Sequence, residues 1–176
     1  PSQTDVIEPQ VRLARQQADF VVVGVHWGVE NSHAVVDSQR TLAQNLADWG
    51  ADVIVGTHPH VLQDAQWLTA ADGRRSFVAF SLGNFLSTQS HPDQLVGAIL
   101  TLQLLKTTQP NGSVQCEVLA PKLHPILMPE KPMCAPTFCA ITRRNWRQRM
   151  VCGQIIQISA LTGYKKSRKI ISVHPF

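Results

Sequence analysis

The chain has 176 residues, 44% of them hydrophobic and 16% charged. A domain of this size buries roughly 70% of the surface its unfolded chain exposes, so it needs no metal or disulfide staple, and no run of 18 apolar residues offers a transmembrane helix. The net charge of +4 divides unevenly: residues 1–130 hold seven Lys/Arg against twelve Asp/Glu, a net of −5, while residues 131–176 hold nine Lys/Arg and no acid, a net of +9. An acidic body with a basic tail is not the pattern of a uniform nucleic-acid binder, and no nucleic-acid partner is expected.

Glu8 to Ala18 has helical spacing, with Val11, Leu13, Ala14 and Ala18 apolar and Pro9 suited to a first turn. Phe20 to Val25 is a near-continuous β-branched run, as in a strand buried on both faces. After a loop from His26 to Val36, Asp37 or Ser38 caps a helix with Leu42, Leu46 and Trp49 on its apolar stripe, and Gly50 closes it. Ala51 to Val55 reads as a second buried strand. Strand, helix, strand is a parallel βαβ unit, right-handed in nearly all proteins. Both strands lead into histidine-bearing loops, at the sheet edge where open α/β folds place ligands.

Hairpins follow. Val61 to Leu68 and Ser76 to Ser81 flank an Ala71-Asp72-Gly73-Arg74 turn, and Leu95 to Lys106 and Ser113 to Leu119 flank Pro110-Asn111-Gly112. Prolines at 121, 125, 129, 132 and 136 predict an extended connector. The expected organisation is a body over 1–125, a proline-rich connector over 126–136 and a basic tail over 137–176. Cys116, Cys134, Cys139 and Cys152 form no Cys-x-x-Cys pair, which argues against a zinc knuckle or redox motif.

Gly56-Thr57-His58-Pro59-His60 is the sharpest chemical feature. Two histidines two apart on extended backbone project to one side, so their imidazoles converge on a metal or on an adjacent pair. The alternative is a surface loop that happens to hold two histidines. His26-Trp27-Gly28 gains weight because the βαβ geometry brings it beside His58 and His60. Gly28 permits a tight turn, and Trp27 either roofs the site or merely packs. Glu30 is either an exposed loop acid or a carboxylate orienting an imidazole. Asn84, in Ser81-Leu82-Gly83-Asn84-Phe85, either turns the backbone or hydrogen-bonds near the site. His33, His91, His124 and His174 read as loop or tail residues.

In order, His26-Trp27-Gly28-Val29-Glu30, the Gln39–Gly50 helix with Ala51-Asp52, Gly56-Thr57-His58-Pro59-His60-Val61-Leu62-Gln63 and Ser81-Leu82-Gly83-Asn84-Phe85 resemble the CapA family of bacterial poly-γ-glutamate capsule biosynthesis proteins, which are similar to calcineurin-like metallophosphoesterases. The resemblance covers roughly residues 5–125. It implies an α/β fold, part of a four-layer α/β/β/α sandwich with a dinuclear site of divalent metal ions (manganese, zinc or iron) at one end of its sheets. His26, His58 and His60 match the family's histidine ligands, with Glu30 and Asn84 as supporting candidates. The resemblance also implies capsule or cell-envelope polymer metabolism, an extracytoplasmic or cell-envelope location, and partners among polymer synthesis proteins. The family's earlier Gly-Asp and Asn-Asn-His segments do not occur here, so an incomplete, inactive C-terminal portion is expected. The start, Pro1-Ser2-Gln3-Thr4, reads as an internal cut. An acid-free, Arg-rich tail after a proline connector also has the pattern of a disordered or out-of-frame extension. An intact in-frame continuation at the resequenced locus would overturn the latter.

Overall fold

A computed structural model describes residues 3–128, 149–151, 154–162 and 170–173. The proline connector beyond Met128, the Arg143–Arg147 and Lys165–Lys169 clusters, Cys134, Cys139, Cys152 and His174 lie outside the described residues.

Helix α1 spans Gln3–Gln17 and strand β1 spans Phe20–His26. The helix starts earlier than its Pro9 suggests, because Ile7, Val11 and Ala14 carry a buried stripe upstream; Leu13, expected on that stripe, is exposed. Helix α2 covers Asp37–Trp49 and buries Ala43, Leu46, Ala47 and Trp49. Its first turn is capped by a side chain inside the helix, as the Val36 N–H donates to Gln39 Oε1 at 3.1 Å. Gly50, at φ 124°, closes it as predicted: the Gly50 and Ala51 N–H groups return to the Ala47 and Leu46 carbonyls.

Strand β2 (Val53–Thr57) runs parallel to β1, with Val22 opposite Val53 and His26 opposite Thr57. Strands β3 (Ala65–Thr69) and β4 (Arg75–Ala79) form a hairpin, and β4 lies parallel to β2. Residues 61–64, expected in β3, instead form a loop tied to the next segment by a Leu62–Leu82 bridge.

Strands β5 (Val96–Thr108) and β6 (Val114–Leu127) pair antiparallel in a second sheet. β6 runs through Pro121 and Pro125, where a connector was expected. It is an edge strand, and an edge tolerates residues that cannot donate to the ladder.

Three strands come from the segment expected to stand apart as a tail. These are β7 (Arg149–Val151), β8 (Gln154–Thr162) and β9 (Ile170–Val173). β8 pairs parallel with β5, placing Ile156, Ile158 and Ala160 in register with the core-facing Leu100, Leu102 and Leu104; β9 pairs parallel with β1. Basic clusters flank β8 in sequence, but its own Ile156, Ile158 and Ala160 alternate with Gln157 and Ser159 at the period of a strand. Strand pairing says nothing about the reading frame.

The sheet orders are β3-β4-β2-β1-β9 and β6-β5-β8-β7. One core lies between α1, α2 and the first sheet, around Val11, Leu46, Ile54 and Phe80. The other lies between the sheets, around Val22, Val55, Leu100 and Leu102. The described residues thus form three layers, helices, sheet and sheet, in a mixed α/β architecture. No helix on the outer face of the second sheet occurs among them, and none is long and apolar enough to cross a membrane.

Candidate functional site

The parallel strands β1 and β2 deliver His26 and the His58-Pro59-His60 turn to the same sheet edge. The His26 and His58 rings lie 4.5 Å apart between centroids, and those of His58 and His60 lie 6.2 Å apart. Sequence alternation is not what joins the last two. His58 (φ 99°) and His60 (φ 61°) both sit in the left-handed region, so a sharp turn brings them together where extended backbone was expected. Each such non-glycine residue costs on the order of 1–3 kcal/mol and persists only where its surroundings hold it.

The surroundings are closely built. Gly56 ends the last interior position of β2 where a Cβ would collide with the Phe80 carbonyl and Trp27 Nε1. Those two groups are hydrogen-bonded across it, as Trp27 Nε1–H donates to Phe80 O at 2.8 Å. Trp27 is therefore a buried floor against the Phe80 ring and not a roof. Gly28 adopts the predicted tight turn at φ 86°, packed on the Gln39 amide.

Two side chains determine which imidazole nitrogens carry protons. Asn84, buried, donates through Nδ2 to Gln89 Oε1 (2.8 Å) and to the Gln94 carbonyl (3.1 Å), so its amide oxygen must face His60. That oxygen lies 2.8 Å from His60 Nδ1 and can only accept, which puts a proton on Nδ1, so that the lone pair of the neutral ring is on Nε2. Thr57 uses its one hydroxyl proton on the Val25 carbonyl (3.1 Å), so its oxygen accepts from His26 Nδ1–H at 3.3 Å. His26 Nε2 is bare by the same logic. Partial burial, with the neighbouring His58 and His60 adding to it, pushes the His26 pKa below 6.5 and favours the neutral, ligand-competent ring.

Of the sequence-derived site residues, the structure brings His26, His58, His60 and Asn84 together. Glu30 lies on the exposed turn after Val29. His33 is exposed, its Nδ1 on the Leu62 carbonyl, and His91 and His124 are exposed as well. Sequence reasoning missed Thr57 as the His26 partner, and the buried glutamines. Gln39 Nε2 donates to Gln63 Oε1, whose own Nε2 holds the Ser32 and Ala34 carbonyls, fixing the loop beside His26. Their signal was position alone: Gln39 falls on the apolar stripe of α2, three residues before Leu42.

Neutral imidazoles with bare outer nitrogens suit a borderline divalent cation chemically. Among the described residues, however, no three His, Cys, Asp or Glu side chains stand in an arrangement that could hold a metal ion. The described imidazoles fit part of a ligand set for one cation.

A family model described as "Bacterial capsule synthesis protein PGA_cap" matches residues 1–89. The chain belongs to the CapA family of bacterial capsule synthesis proteins. It is 35% identical over 124 residues to the PGA biosynthesis protein CapA of Bacillus subtilis (strain 168), a match covering 70% of this chain and 30% of that protein. It is 39% identical over 89 residues to the capsule biosynthesis protein CapA of Bacillus anthracis, covering 48% of this chain and 20% of that protein. The chain thus spans about a third or less of the curated relatives it matches. All four groups of the imidazole cluster, His26, His58, His60 and Asn84, fall inside the stretch the family model covers.

Proposed function

We propose that this CapA-family chain supplies His26, His58 and His60 to a divalent-metal site, manganese, zinc or iron, of a capsule-biosynthesis protein with phosphoesterase-type hydrolase chemistry. The observation that carries the reading is the paired tautomer control, in which Asn84 and Thr57 take the Nδ1 protons and leave Nε2 free on two imidazoles that share one sheet edge. A metal-ligating histidine is characteristically held this way through its other nitrogen. A bound dication would supply acidified water and polarise a phosphoryl oxygen. The chain's own contribution is to present His26 as a neutral ring and to hold the orientation of His26 and His60. The remaining ligands come from elsewhere in the full-length protein, which assembles a metallophosphoesterase-like α/β/β/α sandwich. The substrate is a capsule or cell-envelope polymer or its precursor, handled in the cell envelope beside polymer synthesis proteins.

A second reading has one observation in its favour. That no three His, Cys, Asp or Glu side chains among the described residues could hold a metal ion suits a non-enzymatic component of a synthesis or export complex with a structural or vestigial metal site. Titrating Zn²⁺ and Mn²⁺ into this chain and into the full-length protein, then assaying bis-p-nitrophenyl phosphate hydrolysis, separates the readings. The enzyme reading expects weak binding and no turnover from this chain, with metal-dependent turnover by the full-length protein that His58→Ala abolishes. Metal binding without turnover in the full-length protein selects the second reading. Absence of metal binding in both proteins defeats both.

A further inference from the structure

The hydrogen bonds around His60 close into a ring that passes through Gln94. His60 Nδ1–H donates to Asn84 Oδ1, and Asn84 Nδ2–H donates to the Gln94 carbonyl. Gln94 Nε2–H donates to Asn31 Oδ1, and the Asn31 N–H returns to the Pro59 carbonyl at 2.8 Å. Pro59 is bonded to His60, which completes the circuit. Gln94 is buried, with 8% of its surface exposed, in a short 3₁₀ turn at Pro92–Leu95. It joins the two halves of the ring: its carbonyl accepts from the Asn84 amide, and its side chain donates to Asn31. Asn31 itself adopts φ 61°, a conformation asparagine tolerates better than most residues.

The circuit encloses the peptide between two left-handed histidines. Pro59 has no N–H of its own to anchor the turn, so the accepted hydrogen bond on its carbonyl is the available restraint. The three loops that meet here, 27–36, 58–60 and 84–95, are far apart in sequence and share no strand ladder at this point.

We infer that Gln94 is a positioning residue for His60: through Asn84 it sets the imidazole tautomer, and through Asn31 it holds the His58-Pro59-His60 turn in shape for a cation. This rests on the metal-site reading above, and the experiment is chosen to tell the two failures apart. Gln94→Met preserves volume and the carbonyl but removes the side-chain donor. Asn31→Gly removes the acceptor while keeping the positive φ easy. The double variant completes a cycle, in which groups acting in one network give non-additive losses.

Two readouts are taken on the whole chain, with folding checked by circular dichroism: Zn²⁺ affinity by calorimetry, and the His60 ring-nitrogen shifts by NMR without metal. Each single variant is expected to weaken Zn²⁺ binding about tenfold, the low end of the 10–100-fold range for groups that support a ligand. The His60 shifts should move from a single Nδ1–H form toward a mixture, because a Gln94 no longer tied to Asn31 holds its carbonyl less firmly on the Asn84 amide. The double variant should bind no more weakly than about the worse single variant. If Gln94→Met does not fold, Asn31→Gly tests the same circuit from its other side. Wild-type Zn²⁺ affinity and unchanged His60 shifts in the folded variant overturn the positioning role, even while His58→Ala abolishes binding and the metal reading stands. If His58→Ala leaves Zn²⁺ affinity intact, the metal reading fails, and the NMR shifts alone then decide whether Gln94 positions His60.

Discussion

The two ends of the parallel strands carry polar groups of opposite character. At the amino end, Asp52 precedes β2 and is nearly inaccessible. Its Oδ2 takes the Val21 N–H at 2.7 Å and the Arg15 guanidinium at 2.8 Å, and Arg74 approaches Oδ1 at 3.6 Å. Arg15 also donates to the Ala18 and Asp19 carbonyls, so one ion pair ties α1, β1 and β2 together. Burial pushes the Asp52 carboxyl up, and the Val21 N–H and both guanidiniums oppose it. At the carboxyl end the imidazoles are held on one nitrogen, with His26 Nε2 and His60 Nε2 left bare. The first end spends most of its polar groups on itself, although the buried Arg74 Nη1 lacks a hydrogen-bond partner; the second withholds some of them. A largely satisfied network stabilises, and lone pairs held ready in strained loops are what a binding site needs.

Substitutions should therefore separate stability from metal affinity. The largest effect on folding is expected from Asp52→Ala, which strands the Val21 N–H and the Arg15 guanidinium; a loss of about 3 kcal/mol in urea unfolding follows, with Zn²⁺ affinity unchanged per folded molecule. A change below about 0.5 kcal/mol would show that the amino end is not the structural one. Asn84→Ala should invert the pattern, with a stability loss near 1 kcal/mol and Zn²⁺ binding weakened roughly 10–100-fold by calorimetry. Equal effects of both variants on affinity would erase the contrast between the ends. Thr57→Val is nearly isosteric and keeps the strand, so a fall in Zn²⁺ affinity of about tenfold or less is expected. The His26 ring-nitrogen shifts should lose their preference for Nδ1–H in the same variant.

How much of this was legible in sequence differs between the two ends as well. The βαβ unit could be read, because the Phe20–Val25 run and the Leu42, Leu46 and Trp49 stripe each match one period. The meeting of His26 with His58 and His60 followed from that topology. The means by which His58 and His60 meet did not, since histidine does not announce a positive φ as glycine does. Gln39, Gln63 and Gln94 were invisible because a buried amide and a surface amide look alike in a string; only the partners distinguish them. Asp52 looked like an ordinary residue of the Ala51–Val55 strand for the same reason. The β8 strand was hidden by its neighbours' charge, although Ile156, Ile158 and Ala160 alternate as a strand should.

The smallest expected effect is the pH dependence contributed by His26, and its sign tests whether the three rings interact. In the folded chain the His26 pKa lies below 6.5, through partial burial first and the charges of His58 and His60 second. As pH falls, the unfolded chain takes up this proton near 6.5 before the folded chain does. The stability associated with His26 is thus fully present above pH 6.5. It falls as pH drops through the window between 6.5 and the lower folded value, and is constant below it. His26 is exposed, and solvent keeps the loss small. Replacing His58 with alanine removes one source of repulsion but leaves the burial. The His26 midpoint, followed in the metal-free chain by its ring-proton shifts, should then move part of the way back toward 6.5, and His60→Ala should move it less. An unchanged midpoint in His58→Ala would mean that rings 4.5 Å apart between centroids do not sense one another's charge, and the cluster would lose its claim to be a single site.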